Sequence, residues 1–286
     1  MRLALLSLLN GLSVAALYFI VASGFTLIFG LMRSINLAHG SLFMVGGYVG
    51  WQAGEATGSW TLAVLAGSAS AALAGALMQS ALLDRLRGQD LRQALLTIGV
   101  SIVAADLLLA GFGGLAYQFT PPEWMQQGVQ LPWVGRYPAF RLVVIGIALG
   151  VGLALAMVLA FTRLGMAIRA GVDNREMLAA LGVDPARLFL LVAAAGAALA
   201  GLAGVVGGTA LSISPGEDSR YLLASLVVTI VGGMGSLAGA AAGALIVGLL
   251  EQVGQLYFPH YSIAAIYAVM VAVLVIRPQG LMGRVA

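Results

Sequence analysis

The chain reads as an all-α, polytopic helical membrane protein with about seven to eight membrane segments, two of them broken or re-entrant. Three observations predict this. Hydrophobic residues make up 61% of the 286 positions and charged ones only 9%, too few to cover a soluble core of that size. Apolar runs of roughly 20 residues, the length that crosses a hydrocarbon core as a helix, recur along the whole chain. The 14 basic residues are all arginine, and most stand in the short stretches between those runs.

The elements follow in order. The N-terminal run opens on Arg2, without a small-residue cleavage site ahead of a polar domain, and reads as a first membrane helix over 4–30 rather than a removed signal peptide. Residues 34–54 are apolar but interrupted by Gly, Ser, Asn36 and His39, so this segment is broken. Further spans are expected at 59–82, 93–112, 141–161, 188–211 and 260–276. The segment 222–255 is too long for one span and hard to fit as two. A short entering helix, a turn at Gly232, Gly233, Met234, Gly235 and Ser236, and a returning helix would fit it.

Arginine placement orients the chain. Arg85, Arg87 and Arg92, four arginines between 163 and 187, and Arg277 and Arg284 put nine on one side when 222–255 is re-entrant. Arg136, Arg141 and Arg220 make three on the other, with Arg2 and Arg33 unassigned. Cytoplasmic loops carry the excess, so the nine-arginine side is inside. The outside loop, 113–140, holds four of the eight prolines together with Trp124 and Trp133. Such aromatics sit at membrane interfaces; a docking surface is the other reading of this loop.

Small residues recur at four-residue spacing, as at Gly46 and Gly50, Ala197 and Gly201, Ala200 and Gly204, and Gly239 and Gly243. In lipid this spacing lets helix backbones approach closely. Gly-Ser-Leu occurs in both broken segments, at 40–42 and 235–237, a slight sign of an internal repeat.

Several function classes drop out. With no Cys there is no disulfide framework and no thiolate metal site. A phosphate-binding GxxxxGK[ST] loop is impossible without Lys, and neither GxSxG nor HExxH occurs. The pI near 9.5 does not signal nucleic acid, because the arginines are scattered rather than clustered into a patch.

Polar residues inside the spans remain. Asn36 and His39 stand three apart and would share a helix face. They line a solute route or its hinge, or else they tie a broken helix to its neighbour. Asp106 is expected deep in 93–112, facing the bundle interior, and Glu251 is a similar case. Either carboxylate would serve an ion-coupled secondary carrier, the alternative function.

The charged island over 163–187 distinguishes the chain from a simple pore. It carries Arg163, Arg169, Asp173, Arg175, Glu176, Asp184 and Arg187 between two long apolar segments. Asp173 and Asn174 suit the cap of a short helix over about 174–181, Gly182 its end, and Asp184-Pro185 the start of the next helix. A mixed-charge lobe of this kind suits a grip for a soluble partner; an amphipathic helix resting on headgroups is the other reading.

Five blocks, in order, carry a resemblance. They are NGLSVAALYFIVASGFTLIFGLMRSINLAHGSLFMVGGYV (residues 10–49), LLTIGVSI (95–102), RLGMAIRAGVDNREMLAALGVD (163–183 and Asp184), VGGMGSLAGAAAGALIVGLLE (231–251) and the C-terminal RPQGLMGR. The chain resembles the permease subunits of bacterial high-affinity branched-chain amino-acid ABC importers over nearly its whole length. That resemblance implies one permease domain over 1–286 in the bacterial inner membrane, with no enzymatic activity and no cofactor of its own. It implies a second homologous permease, two cytoplasmic ATPase subunits that bind ATP and Mg, and an extracytoplasmic substrate-binding protein. The island becomes the coupling loop, with Asp173, Asn174, Arg175, Glu176, Ala180 and Gly182 at the ATPase contact. The family frame of Glu-Ala-Ala followed by Gly becomes Glu176, Met177, Leu178 and Gly182, with the alanines moved to 179–180. Asn36, His39, Ser41, Gly232, Gly233, Gly235 and Ser236 are assigned to the pathway. The solute is a branched-chain amino acid, or a urea, amide or organic acid, since the basic residue that relatives commonly carry ahead of the glycine turn is absent over 221–225.

Overall fold

A computed structural model describes residues 2–32, 36–173 and 175–283. Helices α1 (Arg2–Met32), α2 (His39–Thr57), α3 (Trp60–Leu77) and α4 (Asp90–Phe112) form the first half. A short α5 (Glu123–Gln126) and a hairpin of β1 (Gly128–Leu131) and β2 (Gly135–Pro138) fill the 113–140 loop, which the sequence left without regular structure. The second half holds α6 (Ala139–Phe161), α7 (Arg163–Asp173), α8 (Arg175–Ala180), α9 (Pro185–Leu211), α10 (Asp218–Gly232), α11 (Leu237–Tyr257) and α12 (Ser262–Ile276).

Among the described residues six helical stretches are long and apolar enough to cross a membrane: Arg2–Gly30, Trp60–Leu86, Asp90–Phe112, Ala139–Phe161, Pro185–Leu211 and Leu237–Tyr257. Five fall on expected spans. The sixth is α11, the returning arm of 222–255, which is long enough alone. That segment is therefore a helix-turn-helix, broken at Gly233–Ser236. The expected span at 260–276 is instead a helix of 15 residues, about 22 Å at 1.5 Å per residue, because Pro259 opens a 3₁₀ turn before it and Pro278 stands just past its end.

Small residues set the packing. α1 runs through the centre against α11, α9, α6 and α10, while α9 also packs on α2 and α3. A methyl placed on Gly46 would fall on the backbone of Gly201, and one on Gly67 would meet the Gly46 carbonyl. Gly204 lies on the carbonyl of Phe43, and Gly232 and Gly239 abut each other. Without a hydrophobic force between helices in lipid, such backbone contact is what brings α2, α3 and α9 together.

The first broken segment doubles back. His39 opens α2 beside Val21, eleven residues before the end of α1. At 1.5 Å per residue α2 thus begins roughly 16 Å back along α1 rather than at its tip. α10 starts beside the same place, where a methyl on Gly40 would strike the carbonyl of Asp218. Two helices therefore begin inside the bundle.

Asp106 contradicts its expected placement. α4 buries Gln93 and Thr97, and Asp106 stands nine residues after Thr97, about two and a half turns on, so it is exposed on the opposite face.

Candidate translocation site and coupling loop

Asn36 and His39 do not share a helix face. Asn36 precedes α2, and its Oδ1 accepts from the Ala38 N–H at 3.0 Å in a tight turn. His39 Nε2 stands 3.0 Å from the Val21 carbonyl, and its ring packs edge-on to Phe25 at 5.4 Å. The Leu37 N–H donates to Thr97 Oγ1 at 3.1 Å. These contacts tie the start of α2 to α1 and α4, and both side chains are buried.

Ser41 extends this polar layer. Its hydroxyl lies 2.8 Å from that of Ser101 on α4, and the Ser101 hydroxyl donates to Asp218 at 3.2 Å. A chain of three oxygens thus links α2, α4 and α10. Neither partner of Ser41 is legible in the sequence, because residues 60 and 177 positions away along the chain leave no local signal.

The glycine turn lies at the island end of the bundle. Gly233 and Gly235 adopt φ of +110° and +78°, conformations that side chains resist, and Ser236 caps α11 by accepting from the Gly239 N–H at 3.0 Å. Gly235 and Ser236 line a cavity of about 430 Å³ with Thr26, Leu159, Arg169 and Met282. The C-terminal segment closes over Gly232 and Gly233: the Leu281 and Met282 N–H groups donate to the carbonyls of Val231 and Gly232 at 2.9 and 2.8 Å. The pathway candidates therefore occupy two places, Asn36, His39 and Ser41 where α2 begins, and the glycine turn, where Gly235 and Ser236 line the cavity while Gly232 and Gly233 are packed beneath the C-terminal segment and α11.

Glu251 is buried and engaged. The Tyr18 hydroxyl donates to it at 2.5 Å, Gln255 at 3.2 Å, and Arg220 pairs with it at 3.4 Å. Asp106 takes no part in this group. Of the two carboxylates either of which would serve a carrier, Asp106 is exposed and Glu251 is held by Tyr18, Gln255 and Arg220; among the described residues no cluster of three or more His, Cys, Asp or Glu could hold a metal.

The island is folded and packed. Thr162 precedes α7, its hydroxyl accepting from the Gly165 N–H at 3.1 Å, so the lobe holds two helices where the sequence led us to expect one. Arg169 reaches back to the Leu159 carbonyl. Ile168 of α7 and Leu178 of α8 are buried against Ile28 and Met32 of α1 and Leu188, Phe189 and Val192 of α9. Asp173 ends α7, Arg175 and Glu176 open α8, and Asn174 lies outside the described residues. Ala180 is the exposed last residue of α8. Gly182, at φ +83°, ends it in a Schellman motif: its N–H bonds the Ala179 carbonyl at 3.0 Å and the Val183 N–H that of Leu178 at 3.3 Å. Asp184 caps α9 through the Ala186 N–H at 2.9 Å, with Pro185 in the first turn. Met177 and Leu181 stay 63% and 73% exposed, an apolar tip on a charged lobe.

At the opposite end the hairpin is tethered to α1. Arg2 Nε donates to the Val134 carbonyl at 2.9 Å, and Asn10 Oδ1 accepts from Tyr137 at 3.2 Å and Arg141 at 2.5 Å. Burial pushes the Tyr137 phenol up, against the lowering effect of Arg141 beside it. Trp124 and Trp133 are exposed.

A bundle of apolar helices held by glycine contacts, two of which begin inside it, with a folded charged lobe hung from α1 and α9, defines a multi-pass membrane permease. The family described as branched-chain amino acid transport system, permease component, matches residues 7–274, and the chain belongs to it. It is 27% identical to the high-affinity branched-chain amino acid transport system permease protein BraD of Pseudomonas aeruginosa, covering 97% of this chain and 95% of that one. It is 26% identical to permease protein LivH of the corresponding system in Escherichia coli, over 96% and 94%. Permease protein LivM of Salmonella typhimurium is 27% identical over 94% of this chain and 68% of its own length. No solved structure matches.

Proposed function

We propose that this chain is one membrane subunit of an ATP-driven importer that carries branched-chain amino acids, or a solute of similar size, into the cytoplasm across the bacterial inner membrane. Relatives named both LivH and LivM support pairing with a second homologous permease. On this reading two ATPase subunits hold ATP and Mg, an extracytoplasmic binding protein delivers the solute, and this chain hydrolyses nothing.

One observation carries the coupling step. The lobe of α7 and α8 is packed through Ile168 and Leu178 onto the ends of α1 and α9 that lead into the bundle. Closely packed interiors move as units. A push on the lobe, received at Asp173, Asn174, Arg175, Glu176, Ala180 and Gly182, is passed to α1 and α9 as rigid bodies. α2, which starts against α1, and α10, which starts beside α2 and packs on α1, then change the access of the polar layer at Asn36, His39 and Ser41 and of the glycine turn Gly232, Gly233, Gly235 and Ser236, whose last two residues line the cavity.

The test is purification of the tagged chain from its native membrane in mild detergent, with mass spectrometry of what accompanies it, then reconstitution. Two ATPases and a second permease, with leucine uptake into liposomes only when ATP is supplied, are expected. Transport by the chain alone without ATP would refute the importer reading.

A further inference from the structure

Where α2 and α10 begin, buried polar groups outnumber their partners. Tyr48 and Tyr221 are 0% and 1% exposed, and among the described residues neither hydroxyl has a hydrogen-bond partner. Glu217 Oε2 is buried and equally unpartnered, and the Glu217 carboxylate stands within electrostatic reach of both phenols. Beside it, Asp218 accepts from Ser101. Among the described residues neither carboxylate belongs to an ion pair, since Arg220 is turned to Glu251.

Tyr48 and Asp218 face a cleft; Glu217 adjoins Asp218 in the chain, and Tyr221 is stacked on Phe43 away from the lining. Ser41, Tyr48 and Asp218 form its polar side, and Met44, Ala105 and Leu108 its apolar side. Its free volume of about 10 Å³ admits about one water. Polar groups at membrane depth are costly unless they face protein partners, water or a solute, and here the protein supplies too few. A carboxylate outside any ion pair, a second one adjoining it in the chain, an idle hydroxyl and an aliphatic wall complement a small ligand with an ammonium group at one end and a branched hydrocarbon at the other.

We propose that this cleft is a narrow recognition point on the translocation pathway that takes the ammonium end of an α-amino acid, with Asp218 meeting the charge, Tyr48 and Ser41 accepting its remaining N–H groups, and the neighbouring Glu217 carboxylate adding to the negative field. The inference rests on the importer reading for its solute, but the preference for a cation belongs to the cleft itself.

Because the chain has no natural cysteine, Ala105→Cys places a single thiol on the cleft wall of this subunit. In the purified complex that thiol should react about tenfold faster with 2-aminoethyl methanethiosulfonate than with the anionic 2-sulfonatoethyl reagent, relative to their rates with a free thiol. Adding Glu217→Gln and Asp218→Asn should erase the preference. Equal rates in A105C, or a preference that survives neutralisation, would overturn the proposal. In liposomes the E217Q/D218N complex should take up L-leucine about tenfold more slowly, while ATP hydrolysis stimulated by the liganded binding protein stays within about twofold of wild type. Unchanged uptake, or uptake and hydrolysis falling together, would also count against it. If wild-type complex imports no leucine yet A105C keeps its cationic preference, the importer's solute is wrong and the cation site stands.

Discussion

Tyr18 and Glu251, 233 residues apart, meet at 2.5 Å in the middle of the bundle, the phenol donating to the carboxylate. This contact joins α1 to α11, and Arg220 at 3.4 Å brings the start of α10 to the same carboxylate. The group accounts for the one buried carboxylate of α11 by structure, without a transported ion.

Removing the phenol tests that account. Tyr18→Phe should lower stability in detergent by about 1–2 kcal/mol, the range of a buried hydrogen bond to a charged group tempered by its value in membranes. Uptake per folded complex should remain near wild type. A thermal-shift measurement unchanged by the substitution would show that the contact contributes nothing.

Uptake should depend on ATP alone. With internal ATP held constant, a protonophore should leave the rate unchanged, and Asp106→Asn should not alter that insensitivity, because Asp106 and Glu251 lie apart on different helices. Collapse of uptake on adding the protonophore would revive the carrier.

Helix contact through glycine should be intolerant of bulk. Gly46→Val puts a branched side chain onto the Gly201 backbone and should abolish a folded monodisperse peak in size-exclusion chromatography. Gly99→Val, on α4 with nothing within 4 Å of a Cβ, should leave that peak in place. Identical behaviour of the two would refute the packing described.

The lobe should couple without supporting the fold. Glu176→Arg in the first turn of α8 should reduce ATP-driven uptake at an unchanged melting temperature. Gly182→Val should cost about 1 kcal/mol or more locally, because valine resists φ +83°, and should reduce uptake likewise. Wild-type uptake in both variants would remove α8 from the coupling role.

Much of the fold was legible because hydropathy and capping are local. The spans at 4–30, 93–112 and 141–161 fall on α1, α4 and α6, and Asp184-Pro185 and Gly182 mark helix boundaries through their own backbone chemistry. The exposure of Asp106 is not legible in the sequence, because an apolar run with weak periodicity does not say which face meets the bundle. The spacing of Asn36 and His39 is helical and predicts one shared face, whereas the chain turns there before α2 begins.

By itself the sequence determined that the chain is an all-helical membrane protein, where most helices start and stop, and which family it belongs to. These depend on composition, local backbone preference and ordered motifs. Only the tertiary structure decided that α2 and α10 begin beside each other within the bundle, that Ser41, Ser101 and Asp218 form one chain of oxygens, and that Glu251 is held by Tyr18 and Arg220. Those relationships depend on contact between residues far apart in sequence, set by how closely glycine-bearing helices approach.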